Sequence, residues 1–179
     1  MTKIFYIKGP SNSGKSGAIK YTMKMLLGLE GSVVLYVSSF HRKDRGYHCD
    51  KDYLIEHIST SIEAGLTADR NIGLVILEIK GKIIGLTTYG DSLSNEIKPY
   101  FLDAVKVSKG KLDAFICARH DKNNVAEQFA TFANDFQVVE PAIPSEGMDK
   151  KAGMTAFDED NMRKGKELFE QIVAELRLK

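Results

Sequence analysis

The chain lacks an excess of either charge. Its 179 residues carry 25 basic and 24 acidic side chains, which nearly cancel, so no global field draws in nucleic acid or an anionic membrane surface. Long apolar runs are missing too. No stretch approaches a membrane span, and the N-terminus runs into a strand-like segment without the charged, apolar and small-residue order of a signal peptide. A cytoplasmic protein without a membrane partner is expected. Cysteine is scarce: Cys49 and Cys117 show no metal-type spacing. Cys117 lies in the apolar run Ala114-Phe115-Ile116-Cys117-Ala118, where a buried thiol acts as a small hydrophobe, so two free thiols are expected. There is no linker, internal repeat or low-complexity tract. A chain of this length can bury one sizeable core, and residues 1–179 read as one domain.

What is present is concentrated near the start. Residues 9–16 read Gly-Pro-Ser-Asn-Ser-Gly-Lys-Ser and match G-x-x-x-x-G-K-[ST] at every fixed position. By average residue usage, a chance match in a chain this long has odds on the order of one percent. The apolar run Ile4-Phe5-Tyr6-Ile7 precedes the loop as a short buried strand, and Ile19, Met23, Leu26 and Leu27 follow it as a helical stripe. The loop therefore joins a strand to a helix N-terminus. Gly9 and Gly14 let the backbone turn its N–H groups inward, and the cup opens onto the positive end of the helix dipole. A polyphosphate suits such a cup.

On these residues the chain resembles the P-loop NTPase superfamily through its Walker A motif, over about the first thirty residues. The resemblance implies a nucleotide site held by Gly9, Pro10, Ser11, Asn12, Ser13, Gly14, Lys15, Ser16 and Gly17. Lys15 would reach the β and γ oxygens, and the Ser16 hydroxyl would take one position on Mg²⁺.

Further along, Ser32 to Ser39 contains Val33-Val34-Leu35-Tyr36-Val37 and reads as a central parallel strand covered on both faces. Asp50 to Ala64 is helical, with Leu54, Ile55, Ile58 and Ile62 on one side. Leu74 to Leu77 and Lys82 to Thr87 are strand-like runs parted only by residues around Lys80-Gly81, too few for a crossover, so they pair antiparallel. Leu93 to Val107 is a helix with Pro99 in its first turns, Leu112 to Ala118 a strand, Asn124 to Phe132 a helix and Phe136 to Val139 a strand. Thr155 and Asp158 open the terminal helix in a capping-box-like start, and Phe169, Ile172, Val173 and Leu176 are its buried side. The succession gives an α/β fold: a three-layer α/β/α sandwich with a mostly parallel sheet and one antiparallel hairpin strand. Ligands then belong at the carboxyl ends of the parallel strands.

Two acids compete for Mg²⁺. Glu78 follows Leu74 to Leu77 and has the better apolar run before it, but the hairpin puts it roughly 20 Å away at about 3.3 Å per residue, at the wrong edge. Asp91 is favoured, as metal ligand and catalytic residue, although Thr87-Thr88-Tyr89-Gly90 intervene and either threonine hydroxyl could hold that place. The alternative role for Asp91 is an N-cap. Arg119 and His120 follow the fourth parallel strand directly, and Arg119 is the third catalytic candidate beside Lys15 and Asp91, able to stack on a base or approach a phosphate; the plainer reading is a surface cation. His41-Arg42-Lys43-Asp44-Arg45, after the second strand, groups three cations where a second substrate could approach, or is a solvated loop. His41, His48, Cys49 and Asp50 lack regular zinc-ligand pairing.

No Asn-Lys-x-Asp occurs; His120-Asp121-Lys122-Asn123 has similar types in another order, so ATP is expected ahead of GTP by default. Pro144 to Ala156, with Lys150 and Lys151, borders the base or is a mobile loop. Three functions share these residues: an ATP-dependent hydrolase or switch acting on a macromolecular partner, a small-molecule kinase, and a nucleotide-binding module without turnover. His120 to Asn134 is nearly filled by one short helix and carries no arginine, so it has no room for the lid with which nucleoside-monophosphate kinases exclude water. That favours the hydrolase.

Overall fold

A strand apolar on both faces belongs between two helix layers, and Ile4-Phe5-Tyr6-Ile7 has that character. The computed structural model describes residues 1–9, 14–38, 51–63, 72–90, 97–120, 124–141 and 154–179. In chain order the elements are β1 (Thr2–Gly9), α1 (Lys15–Leu27), β2 (Val33–Val37), α2 (Lys51–Glu63), β3 (Val75–Ile79), β4 (Lys82–Leu86), α3 (Lys98–Val107), β5 (Ala114–His120), α4 (Val125–Phe129), β6 (Phe136–Val138) and α5 (Met154–Leu176). They build an α/β fold on one six-stranded sheet in the order β2-β3-β4-β5-β1-β6. β4, β5, β1 and β6 pair in parallel, while β3 is antiparallel to both β2 and β4. The mostly parallel sheet with its single reversed strand is the expected fold.

Chain direction distributes the helices. From β1 the chain crosses to the β2 edge, whereas β4 to β5 and β5 to β6 progress the opposite way. Right-handed crossovers then place their helices on opposite faces. The cores agree: Phe5 and Ile7 join α1, α2 and α5 through Ile19, Met23, Ile58, Leu168 and Ile172. Ile4 and Tyr6 join α3 and α4 through Phe101, Ala104, Val125 and Phe129. β1 and β5 are neighbours whose following helices leave to opposite faces, which opens a crevice at their carboxyl ends. In open α/β sheets such a switch point is where ligands bind.

Most elements fall where hydrophobic periodicity put them. The β3–β4 turn is Lys80-Gly81, with φ of 50° and 76°, the positive pair of a two-residue hairpin loop. Two expectations need correction. β2 is an edge strand with an antiparallel neighbour, and Val33 is 53% exposed; a Val-rich run has the same composition at an edge as at a centre. α5 already includes Met154, so Thr155 lies inside the helix rather than capping it, and residues 154–156 are helix rather than loop. Leu93 to Glu96 of the expected α3 lie outside the described residues, and Pro99 does fall in the first turn. α4 ends at Phe129, and the residues to Phe132 form turns.

Candidate functional site

Gly9 ends β1 and Gly14 caps α1, so the loop between them leaves from the switch-point crevice; Pro10, Ser11, Asn12 and Ser13 lie outside the described residues. Gly14 adopts φ +81°, ψ 8°, the left-handed region that glycine enters without a Cβ penalty. Among the described residues no side chain caps α1, and its first turn carries no acid. Its leading N–H groups thus form the positive end of a 13-residue helix at the carboxyl edge of the sheet.

Lys15 is 5% exposed, and its Nζ donates to the Gly9 carbonyl at 3.1 Å. A buried ammonium is therefore held between the start of α1 and the end of β1. Ser16 Oγ donates to the Thr88 carbonyl at 2.9 Å, drawing the segment after β4 against the start of α1. Thr88 is itself fixed, since its Oγ1 accepts from Ile72 N–H at 2.7 Å and donates to the Ile72 carbonyl at 3.1 Å. Its hydroxyl is thus spent on the backbone, while the Thr87 hydroxyl accepts from Tyr89 N–H at 3.2 Å. Beyond them Gly90 lies so close to β5 that a Cβ would come within 1.9 Å of the Ala118 carbonyl oxygen. Asp91, the next residue, lies outside the described residues. Glu78 pairs in register with Ile83 and Val33, the amino-terminal parts of β4 and β2, at the edge away from Gly9.

Arg119 departs from the post-strand surface-loop placement expected for it. It sits within β5, not after it, and is 0% exposed, so it is not a surface loop cation. Its Nη2 donates to Gln128 Oε1 on α4, while Nε and Nη1 are buried without a hydrogen-bond partner among the described residues. Burial pushes the guanidinium below its ordinary value, with an opposing influence from Cys117. The Cys117 thiol is pushed by burial up to about 12, against the pull of Arg119, and stays neutral. His120 is the last residue of β5 and pairs in register with Gly9.

Asn161 on α5 escaped the sequence reading. It is 3% exposed and covers the loop's glycines: a Cβ on Gly14 would lie 1.9 Å from Asn161 Oδ1, and one on Gly17 would lie 2.8 Å from Nδ2. Its Oδ1 has no hydrogen-bond partner among the described residues. One turn on, a Cβ at Gly165 would meet the Ala18 carbonyl oxygen and Tyr21 Cβ, each at 2.6 Å, and Thr22 Oγ1 donates to the Gly165 carbonyl at 2.9 Å. Asp160 lies beside Lys164 at 2.6 Å and Arg163 at 2.8 Å. Burial raises the Asp160 carboxyl, but hydrogen bonds and charge from Lys164 and Arg163 outweigh it and hold it below its ordinary value. The signal was present: Asn161, Gly165, Leu168 and Ile172 recur at helical spacing, so a polar residue and a glycine interrupt an apolar stripe.

The basic loop Arg42 to Arg45, the set His41, His48, Cys49 and Asp50, and Lys150 and Lys151 all lie outside the described residues. Among the described residues no three His, Cys, Asp or Glu side chains gather into a metal-holding group, and no helix is long and apolar enough to cross a membrane. No protein-family model, curated protein or solved structure matches the chain.

Proposed function

We propose that this chain binds a nucleoside triphosphate, ATP ahead of GTP, together with Mg²⁺, and works as a hydrolase or nucleotide-driven switch on a macromolecular partner. The observation that carries the reading is the left-handed Gly14 at the uncapped start of α1, with the buried Lys15 ammonium drawn onto the Gly9 carbonyl. The free N–H groups at the start of α1, its helix dipole and a poorly solvated ammonium all favour a polyphosphate, and all three stabilise it more in a partly buried crevice than in water.

The residues present suit the cation as well. Ser16 offers a hydroxyl on the segment that meets the chain after β4, three residues short of Asp91, and hard oxygen ligands are what Mg²⁺ takes. Bound there, Mg²⁺ would neutralise charge on the terminal phosphates. Lys15 exchanges the Gly9 carbonyl for a phosphate oxygen and holds the chain of phosphates along the loop. Asp91 supplies the anionic oxygen of this set. Between β5 and β6 the described chain forms only the five-residue α4 and its turns, which supports access of water over a closed phosphoryl-transfer site.

Phosphate release from ATP, measured with and without Mg²⁺ and nucleoside monophosphates, tests the reading. Slow Mg²⁺-dependent release is expected, reduced at least tenfold in Asp91→Ala and little changed in Glu78→Ala. Stoichiometric transfer to an acceptor with little background release would favour a kinase. A Glu78 variant that fails beside a normal Asp91 variant would reverse the choice of acid.

A further inference from the structure

We propose that Arg119 and Lys8 form a second oxyanion site, on the α3 and α4 side of the sheet's carboxyl edge, for a phosphate-type group. Lys8 and Arg119 are register partners on adjacent parallel strands. Alternation along β1 puts Lys8 on the face of Ile4 and Tyr6, and Arg119 reaches Gln128 on the same side. Two cations thus stand on neighbouring strands at about 4.8 Å spacing, where like charges repel. No carboxylate pairs with either among the described residues.

The guanidinium is the stronger part of the argument. Arginine stays protonated in proteins and has five N–H donors to satisfy, yet here Nε and Nη1 are buried without acceptors among the described residues. The neighbouring Cys117 remains a neutral thiol and supplies no counter-charge. Gln128 offers one neutral oxygen from a half-buried position on a short helix. An anion completes this arrangement: a planar guanidinium presents paired donors to an oxyanion, and Lys8 adds a point charge. Gln128 can turn toward solvent to admit it. The site stands on β1 and β5 and does not depend on the phosphate-loop reading.

Inorganic phosphate is the probe, titrated into the full-length Lys15→Ala chain so that the loop does not compete. Phosphate should raise the melting temperature of that chain, and adding Arg119→Met should weaken its affinity about tenfold or more. In phosphate-free buffer Arg119→Met alone should melt above the parent, because an uncompensated buried charge has been removed. Lys8→Met, at a half-buried position, should weaken phosphate several-fold and keeps the test decisive if Arg119→Met does not fold. No phosphate-dependent stabilisation, or unchanged affinity in both variants, overturns the site. With Lys15 restored, a loss of ATP but not ADP affinity in Arg119→Met assigns the oxyanion to the nucleotide's terminal phosphate. Loss of inorganic phosphate alone assigns it to a separate ligand. Failure of the phosphate-loop reading shows separately, as ATP binding that Lys15→Ala leaves intact.

Discussion

At Gly14 two demands meet on one residue. The backbone is left-handed, which costs an L-residue about 1–2 kcal/mol, and the space where a Cβ would sit belongs to Asn161 of α5. The first demand is local and the second tertiary, so they can be separated. Gly14→Ala should destabilise the fold by both, whereas in an Asn161→Ala background only the backbone cost remains. Denaturant unfolding of the two single variants and the double should therefore show coupling of about 1 kcal/mol or more; strict additivity would mean that Asn161 does not press on the loop. Cys117 gives a second residue-scale test. Its folded pKa is raised from 9.0 to about 12, so the unfolded chain releases this proton first as pH rises. Stability falls through that window by up to about 1.4 kcal/mol per pH unit. Cys117→Ala should flatten the decline between those values, with Tyr6, also raised by burial and by Glu140, left to contribute its own part.

Among the elements, those whose pattern is self-contained were legible. α1 shows its buried stripe at Ile19, Met23, Leu26 and Leu27, all fully buried, because helical spacing alone identifies that face. The β3–β4 hairpin was legible because two residues cannot cross over. β2 was not: composition says that Val33 to Val37 is a strand, but edge or centre depends on which strands pair with it, and β3 inserts between β2 and β4. Arg119 was misread for a related reason. Its burial comes from β5 extending to His120 and from α4 covering that face, neither of which a charged residue advertises. Asn161 needs the docking of α5 on α1 before its role is visible. The hairpin also carries a testable flaw. Lys80 has φ 50° without being Gly, Asn or Asp, so Lys80→Asn should stabilise the protein by about 0.5–1 kcal/mol, seen as a higher urea midpoint with unchanged slope.

Across the molecule, one topological fact organises the site. β1 and β5 are adjacent, their helices leave to opposite faces, and their carboxyl ends carry Gly9 and His120 in register. α1 stands on one side of that crevice, and the Lys8 and Arg119 pair stands on the other. The hairpin sends Glu78 to the far edge, while Ser16 and Gly90 bring the segment after β4 to the near one. The pattern behind the proposed phosphate loop is legible in eight consecutive residues because its spacing is local. The cations across the crevice needed strand register to be seen together.

The central claim is that the loop from Gly9 to Ser16 holds the phosphates of a nucleotide through Lys15. Calorimetric titration of ATP with Mg²⁺ into the parent chain and into Lys15→Ala tests it most directly. With Lys15 proposed to exchange the Gly9 carbonyl for phosphate, the variant should keep its fold and lose about a hundredfold or more in affinity, on the scale of one or two charge-assisted hydrogen bonds. A folded Lys15→Ala chain that binds ATP as tightly as the parent would contradict the account.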